Sequence, residues 1–122
     1  MSFETILREI VSGCEALGAA LMGADGIPIA QEMAPAADEE ASEALGVLGV
    51  ELGRLLDETR KAADSIEGGA VDELTTRMSR FAVVARAVDE DTFLVVALAP
   101  QGNLGKARFL ARRHLPALRQ QL

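Results

Sequence analysis

The segment DEEASEALGVLGVELGRLLDETRKAAD, residues 38–64, decides the architecture. Ala41, Leu45, Leu48, Leu52, Leu55 and Leu56 recur at steps of three and four, which at about 100° per residue gathers them on one side of a helix. Glu51, Arg54, Asp57 and Glu58 fall opposite, on the water side. Gly46, Gly49 and Gly53 make a second stripe about a quarter-turn from the leucines. The leucines alone would seat the helix on a sheet. Each glycine costs about 0.8–1 kcal/mol of helix propensity relative to alanine, so their repetition predicts another backbone in close approach, and the reading adopted is a partner helix on this stripe. Local looseness of the helix is the plainer alternative.

Working outward, a chain of 122 residues fits one domain, 1–122, able to bury roughly two-thirds of its unfolded surface. With 49% hydrophobic residues but only 3% aromatics, the core must be aliphatic. A net charge of −7 argues against nucleic acid as the partner. The charge is segregated: residues 1–64 carry 13 acidic and 4 basic side chains, residues 65–122 carry 6 and 8. Asp38, Glu39, Glu40 and Glu43 suit the positive end of the helix they open, while Lys106, Arg108, Arg112, Arg113 and Arg119 crowd the last helical segment. No apolar run reaches membrane-spanning length, and charges interrupt Met1–Cys14 where a signal peptide needs an apolar centre. The expectation is a cytoplasmic protein without membrane insertion. The lone Cys14 excludes an internal disulfide and fits a reducing compartment.

Phe3, Ile6, Leu7, Ile10 and Cys14 predict a first helix, with Ser2 as its cap. Ala16–Met22 and Ile27–Gln31 read as a hairpin around the Asp25-Gly26 turn, and Pro28 sends its second strand to a sheet edge. Asp38 caps the long helix. After Gly68-Gly69, alternation over Val71–Met78 predicts a half-exposed strand, followed by strands over Phe81–Val88 and Thr92–Ala99 around the turn Asp89-Glu90-Asp91. A closing helix begins after Asn103 and is interrupted by Pro116. The order α-β-β-α-β-β-β-α implies an α+β sandwich, a five-stranded antiparallel sheet flanked by helices. The 16–22 and 92–99 strands should be central; the 70–78 edge lacks proline and stays open for pairing.

Catalytic constellations are scarce. His114 has no Cys or carboxylate at ligand spacing and reads as a boundary residue; the acidic run 38–43 lacks a calcium loop's pattern. Gly105-Lys106 resembles the end of a phosphate loop, but Pro100 and Ala107 occupy two of its fixed positions. Cys14 lies on an apolar stripe and reads as inert. No catalytic residue, cofactor or metal is expected. Phe109 lies off the stripe of the closing helix beside Arg112 and Arg113, where an exposed aromatic can anchor an interface.

Gly18-Ala19-Ala20-Leu21-Met22 leading into Asp25-Gly26-Ile27-Pro28-Ile29-Ala30, the long second helix, and Asp91-Thr92-Phe93-Leu94-Val95-Val96-Ala97-Leu98 followed by Asn103-Leu104-Gly105-Lys106-Ala107-Arg108 together resemble the roadblock/LC7 family, of profilin-like architecture, over nearly the whole chain. The resemblance implies the long helix on one sheet face and the terminal helices on the other. It also implies a homodimer in which long helices pair and third strands join two sheets. Gly46, Gly49, Gly53, Val71, Leu74 and Thr76 would then line the dimer interface. Family members commonly regulate or scaffold Ras-like small GTPases, including those of bacterial polarity and motility, and others are dynein light chains. Glu51, Arg54 and Glu58 become the candidates for GTPase contact, and any stimulation of GTP hydrolysis would be an action on the partner. A PAS-like small-ligand sensor and a dynein-light-chain-like adaptor are the alternatives. The sensor is disfavoured by the poverty of aromatic and convergent polar groups.

Overall fold

A computed structural model describes residues 2–122. Helix α1 spans Phe3–Cys14, strands β1 and β2 span Gly18–Gly23 and Pro28–Met33, and helix α2 spans Glu39–Ser65. Strands β3, β4 and β5 cover Glu73–Arg77, Ala82–Ala87 and Thr92–Leu98, and helices α3 and α4 cover Leu104–Arg113 and Leu115–Gln121. The caps are those the sequence specifies: the side chains of Ser2, Asp38 and Asn103 accept hydrogen bonds from the N–H groups of Thr5, Ala41 and Lys106. One element differs. The expected closing helix breaks at His114, because Pro116 opens a new first turn where its missing N–H costs nothing.

The sheet is antiparallel, in the order β2-β1-β5-β4-β3. β5, with every residue buried, lies at its centre, and the Pro28 strand and β3 are the edges. At the hairpin, Gly26 adopts φ +87°, a left-handed conformation that favours glycine, while Asp25 Oδ1 accepts the Ile27 N–H at 3.0 Å. Alternation along each strand divides the core. Ala19, Leu21, Val84, Leu94 and Val96 pack under α1, α3 and α4, whereas Ala20, Met22, Val83, Ala85, Phe93 and Val95 face the α2 side.

The seat of α2 corrects the reading of its glycines. A Cβ at Gly49 would come within 3.0 Å of the Met22 sulfur, and one at Gly53 within 2.9 Å of the Phe93 ring. Both glycines are buried with Leu45, Leu52 and Leu56 in one inward arc. The close approach they permit is therefore to the protein's own sheet, and Gly49 and Gly53 are not available to a partner helix. Gly46 has open space where its Cβ would project. Leu55, expected on the inward stripe, is 48% exposed.

These contacts set opposite signs for two similar substitutions. Gly53→Ala must displace the fully enclosed Phe93 ring and should lower unfolding stability by about 1–3 kcal/mol. Gly46→Ala meets no atom and should raise it by about 0.5–1 kcal/mol through helix propensity. Urea unfolding of the two variants checks both; equal destabilisation would contradict the packing account.

Candidate functional site

The α2 side of the sheet is only half covered. α2 lies over β1 and reaches β2 and β5, with Gln31 Nε2 donating to Ser42 Oγ at 3.2 Å and Val50 close to the Gly26 turn. No helix among the described residues covers the β4–β3 half of that face. Its floor is Val71, Leu74, Thr76 and Phe81, all half-buried, and its wall is the flank of α2 bearing Leu48 and, two turns on, Leu55. Thus Val71, Leu74 and Thr76 lie together beside a free edge, with leucines rather than glycines on the adjoining helix flank.

Backbone hydrogen bonds define that edge. Ala87 N–H donates to the Asp72 carbonyl at 2.9 Å and Met78 N–H to the Phe81 carbonyl at 2.7 Å, so even-numbered residues of β3 bond inward to β4. The N–H and C=O groups of Glu73, Thr75 and Arg77 point outward. On the outer surface of α2, Glu51, Arg54 and Glu58 are exposed as expected, with Arg54 donating to Glu51 at 2.9 Å. Hydrogen bonding and charge attraction from Glu51 push the Arg54 guanidinium further up from its ordinary value, fixing it as a cation.

On the other face, α3 lies over β4, and Arg108 Nε donates to Glu73 Oε2 at 2.7 Å. Arg86 approaches the same carboxylate at 3.9 Å. Phe109, 47% exposed, matches its sequence reading. His114 sits at the α3–α4 break, with Nδ1 2.9 Å from the Leu110 carbonyl and Nε2 3.2 Å from Glu9 of α1. Its role there is to join helices. The acidic turn after β4 is held from both layers: Arg60 of α2 donates to the carbonyls of Asp89 and Glu90, and Arg119 of α4 to that of Val88. Sequence spacing gave no sign of these pairings. No helix among the described residues is long and apolar enough to cross a membrane.

The roadblock/LC7 fold is a regulatory or adaptor fold, and the comparisons place this chain on it. MglC from Myxococcus xanthus is 35% identical over all of both chains, with a TM-score of 0.70. MglB, solved as the gliding protein of Thermus thermophilus and in a tetrameric arrangement, is 20% identical; the match covers 96% of this chain and 85% of that one, at TM-score 0.85. A roadblock/LC7 domain from Streptomyces avermitilis is 13% identical over 98% and 97% of the two chains, at TM-score 0.82. No protein-family model matches the chain, and no curated protein matches it. On the full-length identity with MglC and the shared fold, the chain belongs to the roadblock/LC7 family.

Cys14 stands apart from these surfaces. It is buried, its thiol donates to the Ile10 carbonyl at 3.2 Å, and burial pushes its pKa up from the ordinary cysteine value. Because the folded thiol holds its proton more tightly than the unfolded one, its contribution to stability is intact at neutral pH. That contribution falls away as pH rises through the ordinary cysteine range and then the higher folded value. At neutral pH a thiol reagent should label the folded protein at least about tenfold more slowly than the urea-unfolded chain. Equal rates would contradict the inert assignment.

Proposed function

We propose that the chain is a homodimeric regulator or scaffold of a Ras-like small GTPase and carries no nucleotide chemistry of its own. The observation that carries the reading is the uncovered half of the α2 face, an apolar trough of Leu48, Leu55, Leu74 and Phe81 beside the unprotected edge of β3. A second copy is the complement such a trough requires, because a two-fold axis beside β3 lays the partner's α2 flank on the same apolar floor and joins the two free edges. An interface of this kind would bury at least about 1,200 Å². The likeness to MglC and to the gliding protein MglB supports a setting in cell polarity or motility.

The register of the joined strands follows from the outward backbone groups. Only odd-numbered residues of β3 can exchange hydrogen bonds across the axis, and centring on Thr75 overlaps all of Glu73–Arg77. It also sets Glu73 opposite Arg77 of the second copy, an opposite-charge pair. A shift of four residues either way would instead oppose Glu73 to itself or Arg77 to itself. In a Cys14→Ala background, Thr75→Cys should therefore cross-link to its own copy on oxidation, at a Cα separation of about 5.5 Å, while Leu74→Cys should not. Sedimentation should give twice the monomer mass. A monomer at micromolar concentration, or cross-linking through Leu74→Cys alone, would contradict the dimer as drawn.

Across that dimer the outer residues Glu51, Arg54 and Glu58 of two α2 helices form one broad surface, which we assign to the GTPase. Any gain in hydrolysis would come from ordering the partner's switch segments, since phosphoryl transfer depends chiefly on positioning and electrostatics. Calorimetry against the small GTPases of the source genome, in both nucleotide states, tests this. Binding should weaken at least about tenfold when Arg54→Glu and Glu58→Lys are combined, with the dimer mass unchanged. No binding to any GTPase, together with tight GTP binding by this chain alone, would overturn it.

A further inference from the structure

The cluster formed by Glu73, Arg86 and Arg108 lies on the face of the sheet away from the α2 surface, and nothing in the proposed GTPase contact uses it. Glu73 is an edge-strand residue, yet its side chain is only 15% exposed, because Arg108 reaches it from α3 and Arg86 from the neighbouring strand. Arg86 is itself only 19% exposed, and its Nε is buried with no hydrogen-bond partner. A buried guanidinium donor left unmet is costly, and native structures normally satisfy such groups. Two guanidinium forks thus share one carboxylate. The cluster keeps a net positive charge.

A further cation adjoins it. Arg77 follows Glu73 on the same strand face and is held to the Pro100 carbonyl at 3.2 Å. Glu73 is the one carboxylate among these side chains. This concentration of arginine occurs in a chain of net charge −7, so the local sign is opposite to the overall one.

We propose that the arginine cluster between α3 and β3 is a docking site for an acidic protein segment, one of whose carboxylates enters between Arg86 and Arg108. The occupant follows from the chemistry. All the cations are arginines, whose planar forks match carboxylates in two-point geometry, and Glu73 already displays the contact that an incoming carboxylate would make. With the Arg86 side chain only 19% exposed and its Nε buried, the terminal nitrogens are reached by an inserted side chain and not by a flat lipid surface. A long polyanion such as nucleic acid would meet the repulsion of the remaining acidic surface, which a short segment confined to the cluster avoids. The site is complete within one protomer and does not rest on the proposed dimer or on GTPase binding. Glu73 acts in it as a resident competitor.

The test is fluorescence anisotropy with a short labelled glutamate-rich peptide, a lysine-rich counterpart, and phosphatidylserine vesicles as a separate arm. The wild-type protein should bind the glutamate peptide and not the lysine one. Arg108→Gln alone, at a half-exposed position, should weaken binding severalfold, and adding Arg86→Gln should bring the loss to at least about tenfold. Glu73→Gln should strengthen it, a direction that a merely structural role would not produce. Arg112→Gln combined with Arg113→Gln should have little effect, and the variants at Arg86, Arg108, Arg112 and Arg113 should sediment as the wild type does. Absence of peptide binding, equal loss in the Arg112 and Arg113 control, weaker binding in Glu73→Gln, or arginine-dependent binding to vesicles but not to peptide would overturn the proposal.

Discussion

The close seat of α2 on β1 and β5 is the constraint from which the rest of this structure follows. Gly49 and Gly53 lack the side chains that would otherwise meet Met22 and the Phe93 ring, so the helix sinks onto those strands beside Leu45, Leu52 and Leu56. Five strands at about 4.8 Å spacing are wider than one helix about 10 Å across, so a helix drawn to one side leaves the other side of the sheet bare. Here the bare half is β4 and β3, and the residues on it and on the adjoining α2 flank are apolar. The opposite face has no such deficit, since α1 and α3 divide it between them, with Leu110 packed closely over Gly13 at their contact.

The two sheet faces consequently differ in what they offer a partner. The α2 side presents an apolar trough next to an open edge, under an outer surface of alternating charge. The α3 side presents arginines gathered around one carboxylate. The two core layers, one on each side of the sheet, separate these unlike faces.

Much of the architecture was legible because it depends on local patterns. Caps at Ser2, Asp38 and Asn103, the Asp25-Gly26 turn, the demotion of the Pro28 strand to an edge, and the unbroken apolar run of β5 each follow from one stretch of residues. The long helix was legible as a helix but not as a seated object. Its glycines correctly signal a close approach, yet spacing alone does not say which neighbour approaches. Leu55 shares its period with Leu52 and Leu56 but lies on the flank turned to the bare strands. The Glu73–Arg108 contact joins residues 35 apart in sequence and has no local signature.

The central claim, that the free edge of β3 pairs with a second copy, is tested most directly by amide hydrogen exchange along that strand. The inward N–H groups of Leu74 and Thr76 are bonded to β4 in the single chain, whereas those of Glu73, Thr75 and Arg77 acquire acceptors only across the axis. The account predicts that at high protein concentration the Thr75 amide exchanges about as slowly as its inward neighbours, and that its protection is lost on dilution while theirs remains. Fast exchange at Thr75 at every concentration, with Leu74 and Thr76 protected throughout, would contradict it.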